Sequence, residues 1–391
     1  MIRRREKEAA KQRQVAAATA GRPDALLLFG VIVLSACGLI MVYSASAVYA
    51  QAKTGDSMYF FKHQLINLAL GISAMVAAYR FGYQRLVRYA YPLLLFCMLL
   101  LVAVLVPGIG SRAGGSSRWI KLGGFGFQPG ELAKVAFVIY LACSLTRKRA
   151  KIKAFGKGFL PHLMVSGVLI LLLLGQPDFG TAAVLTLLLF FMLFVAGTRI
   201  SYIVAAALLA IPMAYGLIAG SAYRMRRLLA FLDPWAHRQD IGYQISESLM
   251  SFGSGGLFGM GLGEGKHKLF FLPAAHTDFI YSIVGEELGI AGALALMVVF
   301  GVVIYRGMRI ALRAPDLFGC YVAFGLTMLL GLQTVINMGV VTGLLPTKGL
   351  TLPFFSYGGS SLICTLLAVG ILLSISAAGS ESVPDAKLTW P

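Results

Sequence analysis

Residues 25–50 read ALLLFGVIVLSACGLIMVYSASAVYA, a run without one charged side chain. A helix needs about 20 such residues to cross a hydrocarbon core about 30 Å thick, whereas a barrel strand needs about ten. In lipid the backbone must satisfy its own hydrogen bonds, which leaves helices and closed barrels as the only spanning structures. The length of this run therefore decides for a helix. It is also too long for the apolar region of a cleaved signal peptide, so it is expected to stay as a first span.

Similar runs recur to the end of the chain, which is 58% hydrophobic and only 13% charged. The fold class expected is all-α, a polytopic membrane protein with ten spans near 25–50, 60–79, 89–107, 131–146, 160–176, 180–198, 200–220, 279–304, 317–341 and 356–378. Three parts follow: a basic, alanine-rich tail over 1–22, a membrane domain over 23–378, and a C-terminal tail over 379–391. No internal repeat of the inverted-transporter kind is evident.

A net charge of +18 in a soluble protein would point to nucleic acid, but no nucleic-acid motif is present. The basic residues sit in the N-terminal tail and in short loops around Arg80 to Arg88, Arg147 to Lys157, Arg199 and Arg306 to Arg313. They act as a topology signal and as contacts for anionic lipid. That side is the cytoplasm, so both termini are expected inside the cytoplasmic membrane. A long loop over about 221–278 faces outward despite its six Lys and Arg residues, because long loops translocate largely regardless of charge. Cys37, Cys97, Cys143, Cys320 and Cys364 all lie in apolar runs without metal or disulfide spacing, as small core residues.

The unusual chemistry falls on the outer side. Arg118, Trp119 and Lys121 precede Gln128-Pro129, and Pro129 starts a helix with Glu131 and Lys134 on one face. They form either an ion pair with an interfacial tryptophan, or a site for an anionic head group packed on a sugar or lipid. Asp178 in the turn 176–180 suits a helix cap. Arg224, Arg226 and Arg227 alternate with aromatics, and 241–250 is expected to be an amphipathic helix lying on the bilayer. Seven glycines between Gly253 and Gly265 lead to Lys266 and Lys268. A nucleotide-binding reading of the G-x-G pattern has little support there, since no βαβ unit accompanies it and the loop faces away from cellular ATP. What remains is a backbone able to approach a bulky ligand.

Asp278, in His276-Thr277-Asp278, stands where an apolar helix begins. It is either a helix cap or a general base with a raised pKa. Glu286 and Glu287 lie deeper and need a basic or hydrogen-bonding partner. Residues 342–361 hold two prolines and several glycines, too irregular for a continuous span. A broken or re-entrant segment is expected, with Lys348 and Ser356 facing a wet cavity.

Together RWIKLGGFGFQPGELAK, GSGGLFGMGLGEGKHKLFFLPAAHTDFIYSIVGEELG and LPTKGLTLPFFSYGGSS resemble the SEDS family of FtsW, RodA and SpoVE over about residues 25–378. The wording PTKGLTLPFFSYGG and the basic tail are more similar to the division branch than to the elongation branch. The resemblance implies ten spans and a peptidoglycan glycosyltransferase that polymerises lipid II on the outer face. It also implies a class B penicillin-binding protein of the FtsI type as transpeptidase partner, with other divisome proteins. The family's essential aspartate falls on Asp278, its sensitive tryptophan on Trp119, and its charged motif residues on Glu131, Lys134 and Lys348. The acid that many relatives carry just before the histidine is missing from Pro273-Ala274-Ala275-His276, and Glu264 is a further departure.

The expected mechanism is inverting, with Asp278 taking the proton of the acceptor's sugar 4-hydroxyl. The expected substrate contacts are Arg118, Trp119, Lys121, Glu131, Lys134, Arg224, Arg227, Lys266, His276, Lys348 and Ser356. Arg224, Arg227, Lys266 and Lys348 would meet the leaving pyrophosphate, with a divalent cation such as Mg or Mn as a possible helper, although no metal-ligand cluster is evident. Two other classes stay open, a lipid II flippase and a non-catalytic division scaffold, as does an elongation role.

Overall fold

The computed structural model describes residues 21–108, 110–113, 116–122 and 125–379. The two terminal tails expected from the sequence lie almost wholly outside them. The helices are α1 (Ala25–Thr54), α2 (Tyr59–Phe81), α3 (Leu86–Leu105), α4 (Pro129–Arg147), α5 (Leu160–Gly175), α6 (Phe179–Val195), α7 (Ile200–Ala219), α8 (Ala222–Leu232), α9 (Tyr243–Gly255), α10 (Ile280–Glu287), α11 (Gly289–Leu312), α12 (Leu317–Val341) and α13 (Gly359–Gly379). Among the described residues, eight helices are long and apolar enough to cross a membrane, counting α3 and α5 with their short leading turns, and two shorter apolar helices accompany them in α6 and α7.

Helix α4 runs through the middle of the bundle, with every residue from Ala133 to Leu145 buried. It packs on α3, α12, α6 and α13, whereas α2, α3, α5 and α11 turn most of their apolar side chains outward. Outward-facing leucines are what a lipid-solvated bundle presents. At the end carrying the N-terminus of α1, Arg306 Nε donates to Asp24 Oδ2 at 3.0 Å and the Asp24 amide donates to Ser376 Oγ at 3.0 Å. These contacts tie α1, α11 and α13 together.

Three features depart from the expected pattern. Three short strands, β1 (Gly110–Ala113), β2 (Ser116–Leu122) and β3 (Phe125–Phe127), form a small antiparallel sheet in that order, with Ser111 opposite Trp119 and Ile120 opposite Phe127. The eighth apolar run is broken after α10, where Gly289 takes φ +69°. The glycine-rich loop fills that break: Met260 and Gly261 donate their amides to the Glu286 and Glu287 carbonyls, and Ile290 and Ala291 donate theirs to Gly256 and Leu257, all at 3.0 Å. A Cβ on Gly259 would stand 2.2 Å from the Glu287 carbonyl oxygen. Gly255 and Gly259 thus admit backbone against backbone, while Gly263 and Gly265 line a groove with Lys266.

Helix α9 is likewise packed inside protein instead of lying on the bilayer. Its Ser248 hydroxyl meets Ser282 Oγ at 2.7 Å and the Val341 carbonyl at 2.6 Å. The irregular segment 342–358 enters the bundle as expected, with Leu352, Phe354 and Phe355 buried. Gly38 of α1 receives it closely, since a Cβ there would lie 2.7 Å from the Phe354 carbonyl oxygen.

Candidate active site

The buried ends of these irregular segments enclose a cavity of about 670 Å³. Its walls are the first turns of α2, the sheet, α8, α9, residues 274–279 and the segment leading into α13. Among the described residues Asp278 is the one carboxylate on that wall, and Arg118, Arg227 and Lys348 share it.

Asp278 does not cap α10. The residue in that position is Phe279, which makes no side-chain cap bond. The carboxylate is half-buried and presses on Gly349, where an added Cβ would stand 2.8 Å from Oδ2. Burial lifts its pKa to about 6, and the positive fields of Arg118 and Arg227 hold back a larger rise. A carboxyl tuned to this range suits a general base near neutral pH.

Arg118 reaches the cavity from β2. It donates to the Pro177 carbonyl and pairs with Asp178 at 3.6 Å, while its Nε has no hydrogen-bond partner among the described residues. Asp178 also caps α6, accepting from the Thr181 amide at 3.3 Å and the Thr181 hydroxyl at 2.9 Å. Capping and pairing are both its work. Lys348 lies 5.0 Å and the Arg224 guanidinium 4.2 Å from the centre of the Phe179 ring, each a cation on an aromatic. Burial, then Arg227, Arg224 and Arg118, pull the Lys348 pKa below its ordinary value, opposed by Asp178. Trp119 closes the sheet side, its ring lying against Gly126, where a Cβ would sit 3.3 Å from it.

Other residues expected here are elsewhere or outside view. Glu131 and Lys134 form a buried ion pair at 2.8 Å inside α4 and do not line the cavity, because each carries the other's charge within the protein. Ser356 points inward, its hydroxyl accepting from the Leu352 amide at 2.8 Å. Lys266 lines a separate groove with Ser44 and Glu264. His276 stacks among Phe60, Tyr49 and Tyr357 with ring centres 4.6, 5.6 and 5.8 Å away. Burial first, and Lys53 second, lower its pKa to about 4, so it is neutral packing. The Lys121 side chain lies outside what the structure describes.

His63, Asn67, Gln128 and Gln244 also line the cavity, and the sequence expectations did not include them. The signal was present for the first two. His63 and Asn67 lie four apart on one face of an apolar helix, and a polar residue inside a span warrants a functional hypothesis. Glu286 and Glu287 do have the partners anticipated for them. Glu286 accepts from the amides of Lys266 at 2.6 Å and His267 at 3.2 Å, and Glu287 pairs with Lys268 at 2.6 Å.

A family model described as "Cell cycle protein", for FtsW, RodA and SpoVE, matches residues 24–381. The chain is 51% identical to the "Probable peptidoglycan glycosyltransferase FtsW" of Geobacter sulfurreducens over 91% of this chain and 95% of the relative. It is 44% identical to the "Stage V sporulation protein E" of Bacillus subtilis over 90% and 97%. Among solved structures it is similar to a chain of a peptidoglycan synthase complex that coordinates polymerization and crosslinking, with TM-score 0.76, 30% identity, and 90% and 97% of the two chains covered. It also resembles the rod shape determining protein RodA of Thermus thermophilus, with TM-score 0.68, 30% identity, and 90% and 96% covered. With these motifs, this bundle and this extent of similarity, the chain belongs to the FtsW, RodA and SpoVE family.

Proposed function

We propose that the chain is a peptidoglycan glycosyltransferase that polymerises lipid II at the outer face of the cytoplasmic membrane during cell division. The observation that carries this reading is one carboxylate with its pKa lifted to about 6, set among three cations in a cavity large enough for a saccharide. The bundle crosses the membrane ten times, α10 and α11 together making one crossing, with both termini in the cytoplasm. The cavity then opens outward, where lipid II displays its sugars.

In the transfer, the acceptor's sugar 4-hydroxyl meets Asp278, which takes its proton as the oxygen attacks the anomeric carbon of the lipid-linked donor strand. A new glycosidic bond forms with inversion, and the anomeric bond to the lipid pyrophosphate breaks. Arg118, Arg227 and Lys348 meet the charge that develops on the leaving group. Trp119 offers a stacking face, and His63 and Asn67 offer hydrogen-bonding groups, to the sugars. Among the described residues no group of three or more His, Cys, Asp or Glu could hold a metal ion. With a single carboxylate on its wall, the cavity's donor set does not fit a protein-held divalent cation.

A class B penicillin-binding protein of the FtsI type is the proposed crosslinking partner. The test uses purified chain with that partner and lipid II. Asp278→Ala and Asp278→Asn should each lower glycan synthesis at least a hundredfold, and synthesis surviving both would remove Asp278 from the chemistry.

A further inference from the structure

Two segments without regular structure meet behind Asp278, residues 274–279 and 347–351. Neither has a sheet or helix ladder to hold it at that place. Both converge on Asn337, one turn before the end of α12, which is 1% exposed. Its Nδ2 donates to the Asp278 carbonyl at 2.9 Å and to the Leu350 carbonyl at 2.6 Å. An amide NH₂ carries two donors, and both are used here. The flipped amide would set its oxygen against two carbonyl oxygens, so the contacts assign the orientation. On the far side of the same residue, the Asp278 carboxylate presses on Gly349, the neighbour of Leu350. Asp278 is thus held through its carbonyl with its carboxylate close beside Gly349, and one side chain spaces both segments.

We propose that Asn337 is a positioning residue for the transferase reaction: its amide ties the Asp278 and Lys348–Leu350 segments together and so sets the direction in which the carboxylate meets the acceptor hydroxyl. Asn337 itself touches no substrate. The inference rests on the reading of Asp278 as general base. A displacement of about 1 Å at a reacting group can cost about a hundredfold in rate, which gives a side chain in this place a large effect.

The test compares Asn337→Ala, Asn337→Asp and Gly349→Ala with wild type and Asp278→Ala, as full chains with the transpeptidase partner and lipid II, measuring kcat and KM across pH. Asn337→Ala should lower kcat by about ten- to a hundredfold with KM within about threefold. Its acidic limb should move below pH 6, because a loosened Asp278 gains water. In Asn337→Asp the new carboxyl can donate to a carbonyl only while protonated, so an added loss of rate with rising pH is expected. Gly349→Ala keeps every one of these hydrogen bonds and should still lower kcat, by pushing on the carboxylate directly.

If Asn337→Ala keeps the wild-type kcat and acidic limb while Asp278→Ala is inactive, the inference fails and the base reading stands. It fails in the same way if the Asn337→Ala rate falls equally at every pH with the limb unmoved. Should Asn337→Ala not fold, a wild-type kcat in Gly349→Ala together with no added pH loss in Asn337→Asp overturns the inference. Full activity in Asp278→Ala instead overturns the underlying base reading, whatever Asn337 does.

Discussion

Asp278 carries a charge at a place where the fold favours its neutral form. Burial lifts its pKa to about 6 against an ordinary value near 3.8, so the protonated fold is preferred and ionisation weakens it. The penalty is absent below the unfolded value and complete above the folded one. Asp278→Asn should therefore raise the unfolding temperature at pH 7, by an amount worth at most about 3 kcal/mol and less after solvent screening of a half-buried group. The gap should close near pH 4, and a variant less stable than wild type at pH 7 would contradict the proposed burial. The same shift sets the reaction's acidic limb: polymerisation should fall as pH drops through about 6. A limb near pH 4 would mean an ordinary solvated carboxylate. The position of Asp278 in front of an apolar helix was legible in the chain and favoured a base, but a cap was also compatible with it. Only the absence of a cap bond, with Phe279 in that place, separates them.

At the scale of elements, the break between α10 and α11 is the most demanding feature, because it leaves backbone groups without helical partners inside a membrane protein. The glycine loop supplies those partners, and the buried acids fasten the loop. Lys268 Nζ donates to Glu287 at 2.6 Å, Ser44 Oγ at 3.0 Å and the Gly263 carbonyl at 2.7 Å. Removing one member of such a buried pair strands the other's charge, at a cost of about 3 to 5 kcal/mol. Thermal unfolding in detergent should show a large loss for Lys268→Met and a much smaller one for Lys268→Met combined with Glu287→Leu. Additive losses would mean that the pair does not act as a unit. The chain showed that Glu286 and Glu287 needed partners, yet not that the partners came from the loop, because Lys266 lies 20 positions before Glu286, across backbone that is irregular up to the start of α10. The β1–β2–β3 meander was missed for a related reason: its short strands sit among glycines between two apolar spans, and pairing across turns leaves little trace in residue order.

For the molecule as a whole, the proposed function requires the cavity to face away from the cytoplasm. In a cysteine-free background, Glu264→Cys on the exposed glycine loop should react with a membrane-impermeant maleimide in intact cells whose outer layers have been permeabilised. Lys151→Cys should react only after lysis. The reverse pattern would put Asp278 on the side where lipid II has not yet been delivered, and the proposed chemistry would fail.

Residue order alone determined that the chain is a helical membrane bundle, because the hydrocarbon thickness and the need to satisfy every backbone group convert a count of apolar residues into a structure. It also gathered the unusual chemistry into the segments opposite the Lys- and Arg-rich short loops, which the charge bias leads one to expect outside. Tertiary structure alone decided which polar residues work together. Arg118, Arg227, Asp278 and Lys348 meet on one cavity wall, whereas Glu131, Lys134 and Ser356 are turned to other partners and Lys266 lines a separate groove. The physical reason is that a buried polar side chain points to whatever can satisfy it. Some of those partners are near in the chain, as for Glu131 with Lys134 and Ser356 with Leu352, but Arg118 finds Pro177 and Ser44 finds Glu287 only because the fold brings distant segments together.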